Sequence, residues 1–152
     1  MFLFSNNESK IVYSLKASIL SFSITIPIVF ITAALVGLPD EGPNIGFSFS
    51  DAFGLILFAP IVETLLMIPM IIVISKFSKN IMLIAGITAL IWSLLHSSAY
   101  PLWGVFTFVP FIIFSVGFQV WKKESTFSGG ITAFLIHALH NCYVIFSVVL
   151  FK

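Results

Sequence analysis

Glu63 is the one acidic residue of six that falls inside an apolar run, "FAPIVETLLMIPM" from Phe58 to Met70, and all three histidines, His96, His137 and His140, also fall inside apolar stretches. Carboxyl and imidazole groups can pass protons near neutral pH, hold a water molecule, or ligate a metal. Their spacing groups them further. His137 and Asn141 stand four apart in "HALHN" and so project from one face of a helix, as do Trp92 and His96 in "WSLLH". His140, three residues after His137, faces the same cavity or its flank, and a plain helix–helix hydrogen bond would serve it equally well. Trp92 reads as packing that positions His96. Thr64, beside Glu63, is expected to satisfy its hydroxyl on a neighbouring helix or on its own i−4 carbonyl.

What these groups do depends on the solvent around them. The chain has 152 residues, of which 59% are hydrophobic and 9% charged, and its mean hydropathy is +1.14. A water-soluble domain this small needs far more charge to cover its surface. The apolar residues form five blocks: 17–36, 52–75, 81–97, 102–121 and 130–151. Each approaches the roughly 20 residues of a spanning helix. The expected fold is therefore all-α, a polytopic membrane bundle of about five transmembrane helices in a single domain over 1–152. The first block is longer than a signal-peptide core and no small-residue cleavage site follows it, so it reads as a retained anchor. Short connectors make neighbouring helices antiparallel. Ser50 or Asp51 is expected to cap the second helix, and Pro60 and Pro69 to bend it, freeing backbone groups that neighbours must satisfy.

Charge sets the orientation and excludes one class of partner. A net charge of +1 gives no footprint for nucleic acid. Lys10, Lys16, Lys76, Lys79, Lys122 and Lys123 flank alternate connections, whereas Asp40, Glu41 and Asp51 fill the loop between the first two blocks; only Lys152 dissents. This distribution puts the N-terminus in the cytoplasm and the C-terminus outside. The reading is an integral protein of a bacterial cell membrane. Counting residues from Asp51 and from Lys79 leaves Glu63 and His96 about 10 Å apart in depth, in the outer half of the bilayer.

Inside a membrane, an ionisable side chain costs about 2.5–3.5 kcal/mol on insertion scales, so four in one small chain point to a site rather than to glue. In order, "ETLLMI" from Glu63, "WSLLH" ending at His96 and "HALHN" from His137 resemble the three motifs of the CAAX prenyl protease and bacteriocin-processing (CPBP, or Abi) family of intramembrane proteases, roughly EExxxR, FxxxH and HxxxN or HxxxD. The "API" before the glutamate matches as well. The resemblance covers about 55–146 and leaves the first helix outside it. Thr64 stands in place of the second glutamate and Ile68 in place of the arginine; a supporting charge pair lost together strands neither charge.

The resemblance implies an endopeptidase working without metal or other cofactor on a membrane-associated peptide or protein. Glu63 would be the general base for a water held between it and His96. His137 and Asn141 would donate hydrogen bonds to the developing oxyanion. Three alternatives stand beside it. One is a catalytically inactive member acting as a membrane immunity or partner-binding protein. Another is a zinc protease using the glutamate and histidines as ligands, although no HExxH pattern is present. The third is a transporter or channel subunit with a proton path.

Overall fold

Ser9 begins the first long helix by accepting a hydrogen bond from the Val12 N–H at 3.3 Å. The computed structural model describes residues 2–37 and 48–150, with side chains through residue 147. Asp40, Glu41 and Lys152, used above for orientation, lie outside the described residues, as does most of the Gly/Pro/acidic cluster that follows Val36. Among the described residues, five helices are long and apolar enough to cross a membrane: α1 (Lys10–Val36), α2 (Phe49–Phe77), α3 (Ile81–Ala99), α4 (Trp103–Trp121) and α5 (Thr126–Leu150). No strand occurs among the described residues. The expected all-α bundle of five spanning helices is the observed one, each helix reaching its block and extending most of them by a few residues.

The cap of α2 differs from expectation. Ser48 is the N-cap and Asp51 sits at the third helical position, each side chain bonding the other's backbone N–H. This reciprocal box satisfies two otherwise orphaned donors, which neither Ser50 nor Asp51 alone would do.

α4 is the hub. It packs on α3, α5 and α1, and its buried residues, among them Phe111, Phe114, Phe118 and Val120, form much of the core. Two glycines let its neighbours approach. A Cβ on Gly104 would lie 2.1 Å from the Ser93 carbonyl oxygen of α3, and one on Gly129 of α5 would lie 2.6 Å from the Phe118 carbonyl oxygen. Backbone contact of this kind is how helices gain packing energy in lipid, where apolar side chains gain nothing by leaving the solvent. Large apolar side chains such as Phe30, Leu35, Leu65 and Val73 point outward on α1 and α2, the surface that lipid covers.

One end of the bundle gathers the lysines. Gln119 Nε2 donates to the Ile81 carbonyl at 3.1 Å, joining the end of α4 to the start of α3. Lys10 Nζ reaches Glu124 at 2.7 Å and lies over the Trp121 ring, 4.8 Å from its centroid, so α1 begins at that same end.

Candidate active site

The site is assembled from three helices. α2 supplies Glu63, α3 His96 and α5 His137. His96 Nε2 approaches one carboxylate oxygen of Glu63 at 4.0 Å and His137 Nε2 approaches the other at 3.7 Å. Neither distance is a direct hydrogen bond. Glu63 Oε2 is buried and has no hydrogen-bond partner among the described residues. The Glu63 and His96 side chains keep 20% and 19% of their surface accessible, so the group is reachable, whereas His137 at 7% is walled in.

The 10 Å depth gap expected between Glu63 and His96 is absent, and the reason is the point of reference. Glu63 lies fourteen residues before the end of α2 at Phe77, and His96 fifteen after the start of α3 at Ile81. Counted from their shared connector, the two stand at one level, about 20 Å from the lysine end. Counting down from Asp51 misled because α2 is 29 residues long and overruns the far side.

Each histidine is oriented by a different device. His96 Nδ1 lies 2.8 Å from the Trp92 carbonyl oxygen. A carbonyl only accepts, so Nδ1 carries the proton, and in neutral His96 it is the Nε2 lone pair that faces Glu63. It is thus the Trp92 backbone that holds His96, while the Trp92 indole stacks on Phe111 with centroids 5.0 Å apart and planes 6° from parallel. His137 is held by aromatic faces: Phe114 stacks on it at 4.4 Å and Phe111 meets it edge-on at 5.6 Å.

The other sequence-predicted residues are engaged elsewhere. His140 Nδ1 shares a hydrogen bond with Ser21 Oγ of α1 at 3.0 Å, buried between Phe22 and Phe114. Asn141 Nδ2 donates to the Leu55 carbonyl of α2 at 2.7 Å. Thr64 Oγ1, expected to find a partner across helices or at its own i−4 carbonyl, is buried with none among the described residues. The residues one turn away on α2, Pro60, Ile61, Met67 and Ile68, are apolar, and Ile68 rests against Gly130 of α5, where an added Cβ would lie 3.2 Å from Ile68 Cδ1. Position 68 is thus a tight apolar contact.

Ser21, Phe111, Phe114 and the Leu55 carbonyl were not singled out from the sequence. Ser14, Ser18, Ser21 and Thr25 recur at helical spacing and are buried, a pattern that marks a packed polar face on α1. No comparable signal separates Phe111 and Phe114 from the other phenylalanines among 18.

Among the described residues, no three His, Cys, Asp or Glu side chains are grouped closely enough to hold a metal ion. No protein-family model, curated protein or solved structure matches the chain. The chemistry therefore has to be read from the residues themselves.

Proposed function

We propose that the protein is an intramembrane endopeptidase of the CPBP type, with Glu63 as general base. One observation carries this reading: a carboxylate faces two imidazole nitrogens, one at each oxygen, at 4.0 and 3.7 Å. A single water beside the Glu63–His96 line can reach both groups at about 2.8 Å. It donates one proton to Glu63 Oε1 and one to the His96 Nε2 lone pair, which leaves its own lone pair free for attack.

In the reaction, the water oxygen bonds to the scissile carbonyl carbon as Glu63 takes its proton. The carbonyl oxygen becomes the oxyanion and accepts a hydrogen bond from His137 Nε2 in its protonated tautomer. Collapse breaks the C–N bond, and Glu63 returns the proton to the leaving amine. No covalent intermediate is needed. The substrate is a membrane-associated peptide. With the lysine end in the cytoplasm, the N-terminus is cytoplasmic and the site lies in the outer half of a bacterial cell membrane.

The test is to incubate the protein in lipid bilayers with membrane-associated peptides in ¹⁸O-labelled water. Hydrolysis should put one labelled oxygen in each new C-terminal carboxylate, and strong chelators should leave the rate unchanged. Loss of cleavage on chelation, restored by zinc, would move the assignment to a metal protease.

A specific observation favours a second reading, a non-catalytic immunity or partner-binding protein. Asn141, the second oxyanion donor that the resemblance implies, spends one of its N–H groups on Leu55. Under that reading, Glu63→Gln retains the full biological effect.

A further inference from the structure

The start of α2 differs from the rest of the bundle. None of the residues in Phe49–Phe53 or Gly54–Phe58 is buried, and Phe49 and Phe58 are 87% and 61% exposed. Over Gly54–Phe58 the backbone bonds run from residue i to i−5, and the Ala59 N–H accordingly reaches the Gly54 carbonyl. In that register the Leu55 carbonyl should receive the N–H of residue 60. Residue 60 is proline and has none. The orphaned carbonyl is filled instead by Asn141 Nδ2 at 2.7 Å, and among the described residues this is the one hydrogen bond that reaches the segment from another helix.

We propose that Phe49–Phe58 is a lateral gate hinged at Pro60 and latched by Asn141. The latch lies beside the ionisable group: Asn141 is one helical turn beyond His137 on α5, and Glu63 follows Pro60 by three residues on α2. Closed, Gly54–Phe58 packs on α5, and in this proposal it narrows the approach to the partly accessible Glu63 between the two helices. Open, it swings away about Pro60 and exposes Glu63 to an extended peptide arriving from the lipid. The same movement releases the Asn141 amide, which can then donate to the carbonyl of that peptide. Admission of substrate and completion of the oxyanion donors become one event. What the gate admits rests on the peptidase reading; the latch does not.

Pulsed dipolar distances between nitroxide labels test the latch without any substrate. The protein carries labels at Phe53→Cys and Phe30→Cys in a Cys142→Ser background, reconstituted in lipid nanodiscs. A control pair sits at Phe30→Cys and Leu90→Cys. All three label sites are exposed. Asn141→Ala should raise the population of a displaced Phe53 distance about threefold to tenfold, the range for losing one interhelical hydrogen bond in a membrane. Adding Pro60→Ala should return it towards the original value, because residue 60 then supplies the N–H that Leu55 lacks. The control pair should not change. An unchanged Phe53 distribution in Asn141→Ala overturns the proposal. So does equal broadening of the control pair, since Asn141 would then be holding the whole bundle. These distances are independent of cleavage, so an inactive protein with a working latch contradicts only the peptidase reading.

Discussion

His137 and His140 are three residues apart on α5 and almost equally buried, yet the bundle treats them differently. His140 shares a 3.0 Å hydrogen bond with Ser21 and joins α1 to α5. His137 turns its Nε2 to a carboxylate oxygen that lies 3.7 Å away and has no hydrogen-bond partner among the described residues. The first is how a membrane interior normally holds a polar group, satisfied by a neighbouring helix. The second leaves donors and acceptors close together without closing them on one another. Such an arrangement costs stability and is kept where a third party must fit between. The contrast divides the glutamate and three histidines of the bundle interior into a carboxylate faced by two imidazoles and one histidine bonded to a neighbouring helix.

The sharpest way to break this contrast is to exchange chemistry on the unsatisfied side. On the proposed peptidase reading, His137→Gln should lower the rate of peptide cleavage by about two to three powers of ten, the usual effect of losing one oxyanion donor. Circular dichroism and detergent-resistant folding should stay close to the original. Comparable loss from Ser21→Ala would erase the distinction between the two histidines.

On the satisfied side the effect should be on stability. Ser21→Ala leaves His140 Nδ1 without its partner and should cost about 0.6–1.7 kcal/mol in unfolding from lipid or detergent, with cleavage within about threefold of the original. Thr64→Val sharpens the rule from the other direction. Its buried hydroxyl has no partner among the described residues, so removal should be neutral or stabilising by less than about 1 kcal/mol, measured in the same unfolding assay.

The smallest effect belongs to a carboxylate that is fully accommodated. Glu124, at the lysine end, is held below the usual carboxylate range by the Lys10 ammonium at 2.7 Å and the Ser128 hydroxyl at 2.9 Å. Its folded-state value is lowered, so its contribution is complete above the ordinary carboxylate range and fades as pH falls through the lowered value. A small difference in melting temperature between the original and Glu124→Gln at pH 6 should therefore shrink as the pH is taken below the ordinary carboxylate range.

Much of the fold was legible because spanning helices announce themselves by length and hydropathy, and α2 through α5 begin or end within a few residues of the blocks read from the sequence. The convergence of Glu63, His96 and His137 was legible as well, since helical spacing and antiparallel connectors leave few faces to choose from. Their common level was not, because depth was counted from Asp51 when the informative reference was the Phe77–Ile81 connector. Pro60 pointed to freed backbone groups in α2. That Asn141 would satisfy one of them could not be seen, because the i−5 register of Gly54–Phe58 depends on how the helix overruns the bundle. Ser21 as the partner of His140 was hidden for a related reason: α1 read as an anchor beside the core, and only packing shows its serine face meeting α5.

The central claim is that Glu63 is left unsatisfied because it reacts, and Glu63→Gln tests it most directly by two readings on one sample. The substitution keeps the shape and removes the base. The account predicts that peptide hydrolysis falls by about two to four powers of ten while the midpoint of unfolding holds or rises. A protein that unfolds more easily by several kcal/mol with cleavage undiminished in its folded fraction would contradict it, because Glu63 would then be binding helices together rather than activating water.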